Sequence, residues 1–220
     1  MRCYASRTGT RRNIAALAAA GWGWMVGPLD MGGPILGDMP WALDNGAWPA
    51  FAQGIEWDEA AFLRALDRYG PGADFIVVPD IVGDGPASLE RTRAWLPRLL
   101  ARADLGDARL LIAVQDGMEF ADIEPLLTSP RIGLFIGGST EWKIAAIEPW
   151  GRWAKSRGLY VHCGRVNTAR RIALCAAGGI DSIDGTSATR FAKTLPLLSR
   201  AASQDDLFAP PRRPLCRTHG

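Results

Sequence analysis

Six short apolar runs in this chain each end on polar side chains or a glycine pair. They read Leu43–Asp44–Asn45–Gly46–Ala47–Trp48, Val77–Val78–Pro79–Asp80, Ala113–Val114–Gln115–Asp116–Gly117, Phe135–Ile136–Gly137–Gly138–Ser139–Thr140–Glu141, Val161–His162–Cys163–Gly164–Arg165 and Ile183–Asp184–Gly185–Thr186–Ser187. Three carboxylates, an amide and glycines that expose backbone N–H groups suit recognition of a polar heterocycle. A glutamine both donates to and accepts from a purine edge, and glycine lets a ligand approach the main chain. A pair of carboxylates also suits retaining glycosyl transfer, in which one attacks the anomeric carbon and the other moves the proton. Each residue has an ordinary alternative. Asp44 before Asn45–Gly46 fits a turn, Asp80 a turn or a helix cap, Gly137–Gly138 a tight turn, and Asp184 a cap of the last helix. Gln115, at the end of a buried run, is harder to explain structurally. His162 reads as a core histidine with satisfied nitrogens rather than as a catalyst. The set acquires meaning only if the fold brings the run ends to one place.

That placement depends on the elements. The pattern predicts eight strands, at Cys3–Ala5, Gly23–Val26, Trp41–Leu43, Asp74–Val78, Leu110–Val114, Ile132–Ile136, Leu159–Cys163 and Asp181–Ile183. Amphipathic helical patterns lie between them, over Arg11–Ala20, Asp58–Tyr69, Ala87–Arg102, Glu119–Leu127, Trp142–Arg157, Thr168–Ala177 and Ala188–Ala201. Leu89, Trp95, Leu96 and Leu99 show the helical spacing, and Gly178–Gly179 stops the helix before it. Alternating strands and helices of this number predict an α/β fold, a single (β/α)8 TIM barrel over residues 1–203. In such barrels the residues that do chemistry project from the C-terminal ends of the strands. The crossover Gly27–Pro40 is rich in Gly and Pro and is expected to be a loop over the barrel mouth. Residues 204–220, with Pro210, Pro211 and Pro214 among arginines, are expected to form a loose tail.

Composition narrows the functional classes. The chain has 220 residues, of which 48% are hydrophobic and 22% charged, with a net charge of +2. That supports one sizeable core, excludes intrinsic disorder, and argues against a polycationic nucleic-acid coat. No run of about 18 apolar residues occurs, so no membrane span is expected. Met1–Arg2–Cys3–Tyr4 runs into polar Ser6–Arg7–Thr8 without the apolar core of a secretory signal. None of the four cysteines, Cys3, Cys163, Cys175 and Cys216, lies in a C-x-x-C pair, which predicts reduced thiols and a cytoplasmic chain. His162 beside Cys163 is not the spaced set a zinc site requires, so no metal and no cofactor are expected.

Five of the six run ends carry a resemblance. The chain resembles the tRNA-guanine transglycosylases and their relatives, the 7-deazaguanine DNA transglycosylases. Leu43–Asp44–Asn45–Gly46–Ala47–Trp48 is similar to the family segment D-S-G-G-F-Q, and Val114–Gln115–Asp116–Gly117 to V-Q-G-G. Ile136–Gly137–Gly138–Ser139–Thr140–Glu141 is similar to G-G-L-A-V-G-E, and Ile183–Asp184–Gly185–Thr186–Ser187–Ala188–Thr189–Arg190 to F-D-C-V-L-P-T-R. With Asp80 at the family's base-binding aspartate, five segments in order span residues 44–190. The resemblance implies that Asp184 is the nucleophile and Asp44 the acid/base partner. It implies that Asp80, Gln115, Gly137, Gly138, Ser139 and Glu141 hold the base. Departures are Ala47 for the second glycine, Pro49 for the glutamine, and the absence of the zinc motif C-x-C-x-x-C, of which only Cys216 and His219 could be remnants.

The short chain without a zinc subdomain looks more like the phage-type enzymes that act on DNA. The implied reaction exchanges guanine in nucleic acid, DNA before tRNA, for a free 7-deazaguanine base such as preQ0 through a covalent aspartyl-glycosyl intermediate. Arg165, Arg170, Arg171 and Arg190, near the ends of the last two strands, are expected to meet phosphates, and Trp48 to stack on a base. Other readings remain open at this level: action on tRNA, an N-glycoside hydrolase, a non-catalytic deazapurine-binding or nucleic-acid-binding subunit, and a phosphosugar-binding barrel. The oligomeric state is also open.

Overall fold

The computed structural model describes residues 1–6, 8, 10–30, 39–190 and 194–203, with Arg190 described by its backbone alone. Eight parallel strands close into one barrel in chain order: β1 (Arg2–Ser6), β2 (Gly23–Val26), β3 (Trp41–Leu43), β4 (Phe75–Val77), β5 (Arg109–Val114), β6 (Ile132–Ile136), β7 (Val161–Cys163) and β8 (Ser182–Gly185). The ring shuts where β1 pairs with β8, with Tyr4 opposite Asp184. All eight strands fall on the runs that the sequence singles out. The fold is a single (β/α)8 barrel. The expected tail, residues 204–220, lies outside the described residues, and so does Cys216.

Strand alternation divides the core in two. Side chains of one parity, Tyr4, Met25, Ala42, Phe75, Val77 and Leu111, fill the barrel, with Phe135 and Tyr160 packed against them. Those of the other parity, such as Cys3, Leu43, Ile76, Ile112 and Ile136, face the helices. A strand buried on both faces has no polar face to reveal its period, so β5 and β6 read as continuous apolar runs.

The helices are α1 (Arg11–Ala19), α2 (Ala47–Gln53), α3 (Glu59–Tyr69), α4 (Gly85–Leu100), α5 (Phe120–Ile123), α6 (Thr140–Lys155), α7 (Ala169–Ala177), α8 (Ser187–Arg190) and α9 (Leu195–Ser203). Helix α7 stops as its glycines predict. Gly179 takes φ +73°, and the N–H groups of Gly179 and Ile180 donate back to the carbonyls of Ala176 and Cys175.

Two details differ from the sequence reading. Helix α2 has no helical apolar period; it begins at Gly46 (φ 78°) and carries Pro49 in its first turn, where a missing N–H costs nothing. The last helical stretch is two helices. Leu195 and Pro196 open α9, and a proline fits the first turn of a helix, where its missing N–H has no intrahelical partner to lose. Between β2 and β3, the described part of the expected loop is a 3-10 turn at Pro28–Asp30, which Asp30 anchors by accepting from the Gly27 N–H at 2.8 Å. Residues 31–38 of that loop lie outside the described residues.

Candidate active site

The C-terminal ends of the strands surround a cavity of about 510 Å³, lined among others by Asp44, Asp80, Gln115, Gly137, Gly138, Arg165 and Asp184. Asp44 directly follows β3, Asp80 follows β4, Gln115 follows β5, Gly137–Gly138 follow β6, Arg165 follows β7, and Asp184 lies in β8. Every one of these positions lies at an apolar run end of the sequence. The first residues after parallel strands share one rim, and barrel closure turns that rim into a ring.

The electrostatics are unequal among the three carboxylates. Burial pushes the Asp44 carboxyl up to about 7, with help from the charges of Asp184 and Asp80, although the N–H groups of Asn45 and Gly46 pull it back. Burial also raises Asp80, against the opposing hydrogen bonds of Asn45 and Gln115 and the charge of Arg91. Asp184 is held on one oxygen. Its Oδ1 lies 3.0 Å from His162 Nε2 and accepts from the Arg165 N–H at 3.2 Å.

Asn45 and Gln115 build the wall behind Asp80. Asn45 Nδ2 donates to Asp80 Oδ1 at 2.8 Å and to the Val78 carbonyl at 2.9 Å, while its Oδ1 accepts from the Ala47 N–H at the start of α2. Gln115 Nε2 donates to the Ile81 carbonyl at 2.8 Å and to Asp80 Oδ2 at 3.3 Å, and its Oε1 accepts from the Gly83 N–H at 2.8 Å. The amide is 1% exposed, with partners at both ends. It therefore orients Asp80 and the loop at 81–83; both amide hydrogens are engaged, and the second lone pair of Oε1 is what remains to accept from a ligand.

Other expected contacts divide similarly. Gly138 takes φ +72°, and a Cβ there would lie 2.5 Å from Asp116 Oδ2. Gly137 spends its N–H on the Val114 carbonyl at 2.9 Å. Ser139 lies outside the cavity lining, caps α6, and gives its N–H and hydroxyl to the two oxygens of Asp116, each at 2.7 Å. Glu141, in the first turn of α6, is exposed and also outside the lining. Both fall on the helix because the chain leaves the mouth at Gly138.

Arg165 reaches across the mouth. Its backbone sits at φ 58°, unfavourable for a side chain of this size, its guanidinium donates to the Gly138 carbonyl, and its Cζ lies 3.8 Å from the Trp48 ring centroid. Trp48 is thus at the mouth as expected, but an arginine already covers one face. Arg170 and Arg171 begin α7, outside the lining, with Arg170 exposed and Arg171 half-buried. The Arg190 side chain lies outside what is described.

The sequence reading missed the surroundings of His162. The residue is fully buried, yet both nitrogens have partners: Nδ1 lies 2.7 Å from Ser182 Oγ and Nε2 faces Asp184. The signal was the alternation of Tyr160, His162, Ser182 and Asp184 on neighbouring strands, all of one parity. Among the described residues no group of three or more His, Cys, Asp and Glu side chains is placed to hold a metal ion, and no helix is long and apolar enough to cross a membrane.

No protein-family model matches this sequence. No curated protein sequence matches it either. Among solved structures, the chain is similar to 3-hexulose-6-phosphate synthase from Salmonella typhimurium, with a TM-score of 0.52 and 13% identity over 94% of this chain and 99% of that one. At that identity the likeness concerns the barrel fold.

Proposed function

We propose that this barrel is a glycosyltransferase that exchanges guanine in nucleic acid, DNA before tRNA, for a free 7-deazaguanine base. The observation that carries the reading is the pair Asp184 and Asp44 in one cavity, one carboxylate held by two donors on a single oxygen and the other with its proton affinity raised to about 7. Carboxyl groups whose environments differ in this way divide into nucleophile and acid. The cavity is large enough for a nucleoside, so the nucleotide must leave its stack to enter.

In the first half-reaction Asp184 bonds to C1′ as the C1′–N9 bond breaks, with the electron pair going to N9 and the proton from Asp44 delivered to the departing guanine. In the second, N9 of the incoming base attacks C1′ and gives its proton to Asp44, and the Asp184–C1′ bond breaks with its electron pair returning to the carboxylate. Two displacements retain the configuration, and atoms and charge balance with no further reactant. Asp80, held by Asn45 and Gln115, accepts hydrogen bonds from the base.

The deciding experiment incubates the protein with radiolabelled guanine and either double-stranded DNA or tRNA. Label entering DNA is the expected result. Label entering only tRNA would change the acceptor, and release of guanine without incorporation would make the protein a hydrolase. No label in either, with no release, would overturn the reading.

A further inference from the structure

Beneath Asp184 a line of polar groups runs down the barrel interior. The Tyr160 hydroxyl is 2.7 Å from Ser182 Oγ, which is 2.7 Å from His162 Nδ1, and His162 Nε2 is 3.0 Å from Asp184 Oδ1. The imidazole is fully buried among rings. Phe135 stacks on it at 5.1 Å and 23°, with Phe75 at 4.8 Å and Tyr4 at 6.0 Å between centroids. Aromatic neighbours alone would favour an apolar residue here. An imidazole in this place costs desolvation of two nitrogens unless both are bonded, and both are.

The hydrogens can be ordered along the line. Burial raises the Tyr160 phenol above its ordinary value, so it stays a donor. Its proton goes to Ser182 Oγ, which frees the serine proton for His162 Nδ1. The imidazole then carries its hydrogen on Nε2 and donates it to Asp184. Each donor in this order has an acceptor, and no charged imidazole is required. Arg165 adds a second donor to the same oxygen, because its left-handed backbone, φ 58°, points its N–H at Asp184 Oδ1. Both hydrogen bonds that Asp184 receives from described residues therefore fall on Oδ1 and leave Oδ2 to the cavity.

We infer that His162 is a positioning residue: locked in its Nε2–H form by Ser182 and Tyr160, it fixes Asp184 by Oδ1 so that Oδ2 is the attacking oxygen. The inference rests on the reading of Asp184 as nucleophile.

Its test has an arm independent of activity. The chain contains two histidines, His162 and His219, so His219→Ala leaves one imidazole to observe by long-range 1H–15N correlation NMR. The spectrum should show the proton on Nε2 and none on Nδ1, and Ser182→Ala should abolish that single form. A proton on Nδ1, or a spectrum indifferent to Ser182→Ala, overturns the inference.

The second arm measures base exchange. His162→Gln retains a donor near Nε2, whereas His162→Phe retains the ring packing without one. Loss of orientation at the reacting atom can cost about 10²-fold, so Phe should lower kcat by about that factor with KM unchanged, and Gln should recover about a tenth or more of native kcat. Equal impairment of Gln and Phe indicates a packing role and overturns the inference, as does a fully active Phe variant. If His162→Phe fails to fold, Ser182→Ala replaces it, with a kcat loss of about tenfold expected and native kcat counting against the inference. If the native protein shows no exchange, the functional reading fails and the NMR arm still decides the lock.

Discussion

The two carboxylates proposed to carry the reaction make different demands at the residue scale. Asp184 should be needed for bond formation and not for binding. Asp184→Asn is expected to abolish both base exchange and any covalent protein–nucleic acid adduct, with nucleic-acid affinity preserved in a gel-shift assay; an adduct detected by denaturing electrophoresis in the variant would reassign the attack to another carboxylate. Asp44 connects function to stability. Its carboxyl rises from an ordinary value of 3.8 to about 7 in the fold. Between those values the folded chain holds a proton that the unfolded chain has lost, so stability falls as pH rises across that window, and the fall is complete above about 7. Asp80, raised by the same burial, acts in the same direction. Asp44→Asn should therefore raise stability at pH 8 on the order of 2–4 kcal/mol and flatten its pH dependence. Urea titrations at pH 5 and 8 read this directly, and equal slopes with pH for the two proteins would contradict it. The same protonation makes the native protein's adduct formation decline above about pH 7, and Asp44→Asn should slow it throughout.

The connections between strands and helices hold these residues at the scale of elements. The turn from β6 into α6 needs Gly138 twice over, for its φ of +72° and because a Cβ would strike Asp116 Oδ2 at 2.5 Å and approach Gln115 Cα at 3.2 Å. Gly138→Ala is expected to cost roughly 1–3 kcal/mol in chemical denaturation through backbone strain, and an unchanged midpoint would show that the turn relaxes freely. The loop after β4 depends on a side chain from β5. Removing Gln115 leaves the Gly83 N–H without its acceptor and takes a donor from the Ile81 carbonyl and from Asp80 Oδ2, while Asn45 still donates to Asp80 Oδ1. Gln115→Ala should destabilise by roughly 1–3 kcal/mol and weaken binding of the free base by calorimetry. A variant with native stability and lowered affinity would return the amide to direct recognition of the base.

The arginines matter most at the scale of the whole molecule. The net charge is only +2, so any phosphate-binding surface must come from distribution. Helices α1 and α7 begin with Arg11–Arg12 and Ala169–Arg170–Arg171 and carry no acidic residue in their first turns, whereas Asp58, Asp84 and Glu141 lie at the starts of α3, α4 and α6. Cations at a helix start oppose the macrodipole, and in a (β/α)8 barrel helix starts lie on the side of the mouth. If they face phosphates, Arg170→Gln with Arg171→Gln should lower the slope of log affinity against log salt by about 2. Fluorescence anisotropy with labelled DNA across a salt series measures it, and an unchanged slope would move the nucleic acid to another face.

The sequence alone determined the strands, their count, the barrel they build and the run ends that line its mouth. These follow from local pattern, the continuous apolar run that burial on two faces imposes on a strand and the periodic stripe that burial of one face imposes on a helix. Helix α2 escaped because a short segment with a proline has no period to read. What the mouth residues do to one another was decided only by closure. Gln115 meets Asp80 across 35 positions and His162 meets Asp184 across 22, and no local pattern encodes a hydrogen bond between side chains on different strands. Gln115, expected to read the base, also braces Asp80 and the loop after β4, because that loop folds back onto the end of β5. His162, read as a satisfied core residue, is satisfied by the candidate nucleophile itself, because two strands of matching parity stand side by side in the closed ring.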